Sequence, residues 1–585
     1  MKYKNLAITF FIFLTINSAL FAQNPSYSLN NTKMNQLLRS INELYVDTVN
    51  FETLVESGIT NILKELDPHS AYIPKKDVQQ MNEPLQGAFD GIGVTFQLIK
   101  DTINIMEVLI GGPSEKVGLM AGDKIVKVDT ALATGKHVNN RWVQDHLRGP
   151  KDSKVTVYIK RGRNPELLEF AITRGKIPIN SINVYFMVDS ETGYIRLERF
   201  AKSSEEEFLV ALTKLKARGM KNLIFDLRGN GGGYLDQAFK ISNQFLDADQ
   251  MIVYTDNYRH ERQEYKSLGD GNFKKGKVII LVDENSASAS EIVSGAIQDW
   301  DRGLIMGRRT FGKGLVQRPL NLVDKSEVRL TTHHYYTPTG RCIQKPYNDG
   351  LDKYYEDLSN RYKHGEYLTA DSIKLPDSLK YYTPNKRVVY GGGGIMPDIF
   401  IPYDTTKYSS LYNELIRKGV FGGFTLDYMA ENREEYLKRY QTIEDFKKNF
   451  EVSDQLYAQL MEKAKQEGVK DTLPLSLSSR LSSFVKDKKT EIDSLYAKPE
   501  DFNNLTELET MMKKFVLESY NESVKLRNMA KAPEFIKEYL KFEMARNLYN
   551  YGEAYQIFLL NDDTFQQAVA LMQDDTAFKK FKVKR

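Results

Sequence analysis

Asp283-Glu284-Asn285-Ser286-Ala287-Ser288-Ala289-Ser290-Glu291-Ile292-Val293 directly follows the β-rich run Lys277 to Val282 and opens a helical pattern through Ile292, Val293, Ala296, Ile297 and Trp300. A short β-rich run, a turn of small polar residues and an amphipathic helix together make one unit of an α/β domain. The turn sets serine where the first N–H groups of a helix have no partner and point outward. Such donors can stabilise the oxyanion formed when a carbonyl is attacked. The same residues also fit a plainer role, because Ser with Glu three positions later is a capping box.

Two stretches on either side carry further reactive groups. Thr310-Phe311-Gly312-Lys313-Gly314-Leu315-Val316-Gln317 holds one lysine between two glycines, with apolar neighbours. A free lysine titrates near about 10.4 and is protonated at neutral pH. Burial disfavours the charge, so a lysine in apolar surroundings can become a neutral amine able to take a proton from serine. The phosphate-loop pattern G-x-x-x-x-G-K-[ST] is not met between Gly307 and Gly314, and an ordinary surface lysine stays open. Asp226-Leu227-Arg228-Gly229-Asn230-Gly231-Gly232-Gly233 closes a second β-rich run. Its glycines allow the backbone to approach a ligand and aim N–H groups at negative charge. The dinucleotide pattern G-x-G-x-x-G is absent.

The rest of the chain frames this domain, which spans about residues 175–402. Residues 23–83 are helical in pattern, with Met34, Leu37, Leu38, Ile41 and Leu44 at helical spacing and Asp67-Pro68-His69-Ser70 as a stop. Residues 84–174 read as short alternating strands around Gly111 to Leu119 and Ala121 to Val128, an arrangement that resembles a PDZ domain. Residues 345–387 form a polar, Tyr-rich insertion with little periodicity, and residues 403–585 are Lys/Glu-rich and helical without a fixed repeat.

Composition excludes several classes. With 585 residues the chain exceeds a single core. The 81 basic and 77 acidic residues nearly cancel, leaving no field for nucleic acid. The one cysteine, Cys342, can close no internal disulfide, and no Cys/His spacing suggests zinc. His333 and His334 are adjacent in a strand-like run and point to opposite faces, so they are poor co-ligands. No metal and no cofactor is expected. Lys2 and Lys4, an apolar stretch from Leu6 to Leu20 and Ala22 before Gln23 make a secretory signal over residues 1–22. An uncleaved anchor is the alternative, since Leu20 is bulky for its position. No later run is long enough to span a bilayer, so the mature chain is expected in the periplasm or otherwise exported, without a stable membrane span.

The ordered set Tyr45-Val46-Asp47, Asp67-Pro68-His69-Ser70, the PDZ-like stretch, DLRGNGGG, SASASE, RTFGKGLVQ, YYTPTGR and GGGGIMPD is similar to that of the C-terminal processing, or tail-specific, peptidases, from about Asn35 to Pro402. The resemblance implies a multidomain α/β protein: a peptidase core of the crotonase/Clp-protease type, an inserted PDZ domain, a helical N-terminal segment and an all-helical C-terminal region. It implies Ser288 as nucleophile, Lys313 as general base 25 residues later, and Gln317 as the residue orienting that lysine. It implies an oxyanion hole from the Ala289 amide and one from Gly231 or Gly232. The amides of Gly91, Ile92, Gly93 and Val94 would capture a terminal carboxylate, the strand after them would pair with an extended peptide, and Arg148 would couple this module to the peptidase, or act as a structural turn residue. The implied partners are protein substrates with accessible C-termini. A homodimer and a regulatory envelope partner are left open. The insertion and the long helical tail depart from the family pattern. A packed or dimerising role for the tail is the plainer reading, and a gating or partner surface the sharper one. The rival function is a PDZ peptide-binding scaffold on an inactive hydrolase fold, against which the intact Ser288, Lys313 and Gln317 argue. A likeness to folds that handle acyl-CoA fits poorly with export.

Overall fold

The computed structural model describes residues 25–162, 164–404, 409–469, 484–489, 492 and 502–583; the expected signal segment lies outside them. The described residues fall into two compact units, one made of the N-terminal residues to Lys75 with 319–330, the other of the remainder.

In the first unit, α1 (Pro25–Leu44) and α2 (Phe51–Lys64) are joined by a loop in which Asn50 caps α2. The expected stop is real and has a cause: the Asp67 carboxylate accepts the N–H of His69 and Ser70, each at 2.8 Å, and the Ser70 hydroxyl at 2.6 Å. Strand β1 (Ala71–Ile73) follows and pairs antiparallel with residues 327–329.

The second unit begins within the first turn of α3 (Lys75–Gln86), which an antiparallel module follows. Its strands are β2 (Ala88–Gly91), β3 (Val94–Ile99), β4 (Thr102–Val108), β5 (Lys124–Val128), β6 (Ala131–Leu132), β7 (Lys154–Lys160), β8 (Leu168–Thr173) and β9 (Gly175–Pro178), with helices α4 (Pro113–Lys116) and α5 (Asn140–Leu147). The main sheet runs β3-β4-β5-β7-β8, so β3 is an edge strand. Alternate residues of these strands, among them Ile103, Ile105, Ile125, Val157 and Ile159, bury against Val143 and Leu147 of α5. Strand β2 pairs with β9 from Ala88↔Pro178 to Gly91↔Gly175, so the module starts and ends at one ladder.

The central sheet contains β10 (Val184–Met187), β11 (Thr192–Arg196), β12 (Asn222–Asp226), β15 (Val278–Val282), β16 (Leu304–Gly307) and β21 (Ile399–Phe400), in that spatial order. All its pairs are parallel except β10 with β11. Between these strands in the chain come α6 (Ser204–Ala217), α7 (Leu235–Asn243), β13 (Met251–Asp256), β14 (Gln263–Lys266), α8 (Ala289–Asp299), β17 (Leu315–Asn321), β18 (Glu327–Tyr336), α9 (Leu351–Lys363), β19 (Lys380–Tyr382) and β20 (Val388–Tyr390).

A parallel sheet must be covered on both faces, and β15 shows how. Val278, Ile280 and Val282 face one core with α6, α7 and α8, while Ile279 and Leu281 face another. That second core is closed by the end of the chain: α15 (Tyr551–Leu559), α16 (Asp563–Gln573) and α17 (Thr576–Lys580) supply Leu559, Phe565, Ala568, Met572 and Phe578. Before them, α10 (Ser410–Arg417), α11 (Val420–Arg439), α12 (Ile443–Asn449), α13 (Asp454–Gln466) and α14 (Phe502–Leu548) share a separate helical core around Phe421, Phe446, Leu460, Leu540 and Met544. No helix among the described residues is long and apolar enough to cross a membrane.

The insertion differs from its sequence reading. It contains the amphipathic helix α9, which buries Tyr354 and Arg361. Because one of its two buried positions is charged, apolar periodicity does not reveal it.

Candidate functional site

In the central sheet β12, β15 and β16 are adjacent and parallel, so the loops at their C-terminal ends open side by side. Those loops carry the glycine run, Ser288 and Lys313. In open α/β sheets this carboxyl end is where ligands bind.

The three serines of the middle loop have different tasks. Ser286 is buried; its hydroxyl donates to the Leu227 carbonyl at 2.9 Å and accepts the Asp283 N–H at 3.0 Å. Ser290 is also buried and donates to the Asn230 carbonyl at 2.8 Å. Both stitch this loop to the glycine loop. Ser288 between them is only partly buried and has φ 55° and ψ −114°, a backbone conformation that costs a non-glycine residue of order 1–3 kcal/mol. The strained turn holds the one partly exposed hydroxyl of the three at the N-terminus of α8.

A single buried carboxylate keeps that turn in place. Glu291 Oε2 accepts the Ser288 N–H at 2.8 Å and the Lys313 N–H at 2.9 Å. Its Oε1 accepts the Gly312 N–H at 2.7 Å and the Thr310 hydroxyl at 2.5 Å. The capping reading of Ser-x-x-Glu therefore holds for the glutamate, which reaches back to Ser288, and the same group reaches across to the lysine loop. Burial pushes the Glu291 carboxyl above its ordinary value, and its four donors oppose that rise. Tyr335 adds a second tie: its hydroxyl donates to the Ser288 carbonyl at 3.1 Å and its N–H to the Gly314 carbonyl at 2.9 Å. Lys313 Nζ donates to Gln317 Oε1 at 3.0 Å. Sequence reasoning singled out Ser288, Lys313 and Gln317; Tyr335 lies in the YYTPTGR stretch but was given no role there, because its bonds to Ser288 and Gly314 are long-range.

The glycine loop packs directly on this turn. A Cβ on Gly232 would lie 2.8 Å from the Ala287 carbonyl oxygen, 2.8 Å from Ser288 Cβ and 3.0 Å from the Ala289 nitrogen, so only glycine fits. Its N–H donates to Asn230 Oδ1 at 2.8 Å. Gly231 has open space around its Cα, and its N–H has no hydrogen-bond partner among the described residues. Asn230 is buried and anchors the loop through Nδ2 to the Leu197 carbonyl at 2.9 Å, while its carbonyl accepts the Ala287 N–H at 3.0 Å.

The insertion braces the lysine loop from outside. Arg361 on α9 donates to the carbonyls of Thr310 at 2.8 Å and Phe311 at 3.1 Å. The Lys345 ammonium lies over the rings of Phe311 and Tyr354, 4.2 and 4.0 Å from their centroids.

The expected peptide-binding residues lie in the antiparallel module. The Ile92 carbonyl accepts from the N–H and hydroxyl of Ser114, at 3.0 and 2.7 Å, and the Gly93 carbonyl from the Leu109 N–H at 2.9 Å. The N–H groups of Ile92 and Gly93 have no acceptor among the described residues, and Gly93 has φ 77°. Val94 begins the edge strand β3. Arg148 is the last turn's cap on α5, forms an ion pair with Glu83 of α3, and lies over the Phe89 ring, 4.2 Å from its centroid.

A family model described as peptidase family S41 matches residues 191–353, and one for a family of unknown function (DUF8443) matches residues 411–481. The carboxy-terminal-processing protease of Bartonella bacilliformis is 31% identical over 57% of this chain and 78% of its own length. The carboxy-terminal processing protease CtpB of Bacillus subtilis is 30% identical over 61% and 72%. Among solved structures, a photosystem II D1 C-terminal processing protease is 29% identical over 51% of this chain and 81% of its own, with a TM-score of 0.31. With three adjacent loops presenting a strained serine, a lysine and a glycine turn, and with relatives of this identity along most of their length, the chain belongs to the S41 family of serine-type endopeptidases, among the carboxy-terminal processing proteases.

Proposed function

We propose that this peptidase is exported, recognises the C-terminal tails of protein substrates through a PDZ domain formed by residues 88–178, and cleaves them with a Ser288/Lys313 pair. The observation that carries the catalytic assignment is the single Glu291 oxygen bonded to the backbone N–H of both residues.

In the step this arrangement supports, neutral Lys313 takes the Ser288 hydroxyl proton as Oγ attacks the peptide carbonyl. The oxyanion is stabilised by the Ala289 amide and the Gly231–Gly232 turn. Collapse expels the amine, which takes the proton from Lys313 and leaves an ester on Ser288. Water then attacks that ester with Lys313 again as base. Gln317 aims the amine.

Ser288→Ala is expected to lower kcat by roughly 10⁴-fold or more, with the fold intact by circular dichroism. Lys313→Arg keeps the cation but cannot release a proton, so it should be as inactive as Lys313→Ala. A folded, active Lys313→Arg enzyme refutes the pair.

The turn gives a second, independent expectation. Gly232→Ala forces a Cβ into Ser288 and Ala289 and should lower kcat on the order of a hundredfold, the effect of losing one oxyanion donor. Gly231→Ala meets no atom within 4 Å and should stay within a few-fold of wild type. Equal kcat in the two variants removes the turn from the mechanism.

Tail recognition is supported by β3, whose outer edge pairs with no strand among the described residues, beside the Ile92 and Gly93 amides, the geometry of strand addition with carboxylate capture. Amidating a substrate's C-terminus should weaken kcat/KM roughly ten- to hundredfold, as for a lost charge-assisted hydrogen bond. Equal cleavage of acid and amide argues for another role of the module.

Export rests on the signal pattern of residues 1–22. N-terminal sequencing of protein from the extracytoplasmic fraction should begin at Gln23, and unprocessed protein confined to the cytoplasm contradicts it.

A further inference from the structure

Arg228 begins the glycine loop, and its guanidinium is shared between two carboxylates from distant parts of the chain. Nε donates to both oxygens of Asp226, at 3.0 and 3.1 Å, and Nη2 to Asp226 Oδ2 at 2.6 Å. Nη1 donates to both oxygens of Asp562, at 2.9 and 2.8 Å. Asp562 is also the N-cap of α16, accepting the Phe565 N–H at 2.8 Å. Phe565 in turn packs edge-on against Tyr194, with centroids 5.3 Å apart, and the Tyr194 hydroxyl donates to Asp226 at 2.7 Å. The ring of contacts closes on itself. It joins the C-terminal helical region to the start of the loop that lies against Ser288.

Charge makes Asp562 more than a contact. Asp226 is fully buried and faces two cations, Arg228 and Arg196, the latter at 3.6 Å. One carboxylate cannot neutralise two guanidinium groups, and Asp562 supplies the second. A cavity of about 290 Å³, lined by Arg228, Gly229, Asp562, Tyr403 and Phe558 among others, borders the pair. An Arg228 guanidinium that loses Asp562 keeps Asp226 as its partner and has room on the cavity side to tilt about that contact.

We infer that Asp562 is a positioning residue for catalysis: it fixes Arg228, and through Arg228 the Gly229–Gly232 turn against Ser288. This rests on the assignment of that turn and of Ser288 given above.

The test uses the full chain and separates charge from capping. Asp562→Asn keeps a good cap but loses the charge, whereas Asp562→Glu keeps the charge but caps poorly. Asp562→Asn leaves one guanidinium without a counter-charge, so it is expected to lose Tm and to lower kcat about tenfold, with KM within about twofold. Asp562→Glu should recover most of kcat while losing Tm. Both variants thus lose Tm, and only the one that lacks the charge loses kcat. A kcat that follows Tm, or a wild-type kcat in Asp562→Asn, overturns the inference. Ser288→Ala is assayed alongside: cleavage abolished there with Asp562→Asn fully active overturns only the role of Asp562, and cleavage surviving in Ser288→Ala overturns the site on which it rests.

Discussion

The Glu291 carboxylate is the constraint from which the site is built. It has no solvent exposure, and it meets four donors from two loops that are about twenty residues apart in sequence. An ionised carboxylate has lone pairs for all four and no proton to place between them. Ionising it in this buried position is unfavourable, so the donors must be present for the charge to be held there. Serine and lysine are thus bound to each other through a group that takes no part in bond making. The φ 55° turn at Ser288 persists because its own N–H is committed to that carboxylate and its carbonyl to Tyr335 and the first turn of α8.

Sheet topology explains why these loops meet at all. Neighbouring parallel strands deliver their C-terminal loops to one edge, and the sequence between them sets which groups arrive. This also separates the serines. Ser286 and Ser290 each hold a carbonyl of the glycine loop, at Leu227 and Asn230. A Ser-x-Ser-x-Ser pattern therefore alternates two stitches with one presented hydroxyl. Sequence alone treats the three as equivalent apart from family resemblance.

Much of the core was legible because its signals are local. The β-rich runs Asn222 to Leu227 and Lys277 to Val282 announce buried strands, and Gly-Lys-Gly marks a lysine in an unusual loop. What escaped is long-range and polar. Asp562 lies more than three hundred residues from Arg228, and the sheet's second covering layer, from Tyr551 onward, looks like any other amphipathic tail. Helix α9 was hidden because its inward face includes Arg361, a residue that a pattern of hydrophobicity assigns to solvent.

Arginines also explain how α8 is held along its length. At its C-terminal end, buried Arg341 donates to Gln298 Oε1 at 2.8 Å and Asp299 Oδ1 at 2.6 Å. Arg387, the last residue of the insertion, donates to the Gln298 carbonyl at 2.6 Å and Asp301 Oδ1 at 2.7 Å. Cations here complement the negative end of the helix dipole. Buried ion pairs add little net stability, because desolvation offsets their attraction, yet losing one partner strands a charge. Their effect at this end is therefore positional. The insertion grips the lysine loop through Arg361 and the far end of α8 through Arg387. At the N-terminal end of α8 the Glu291 carboxylate lies in the first turn and accepts the Ser288 N–H, so each end of the helix meets a group of the opposite charge.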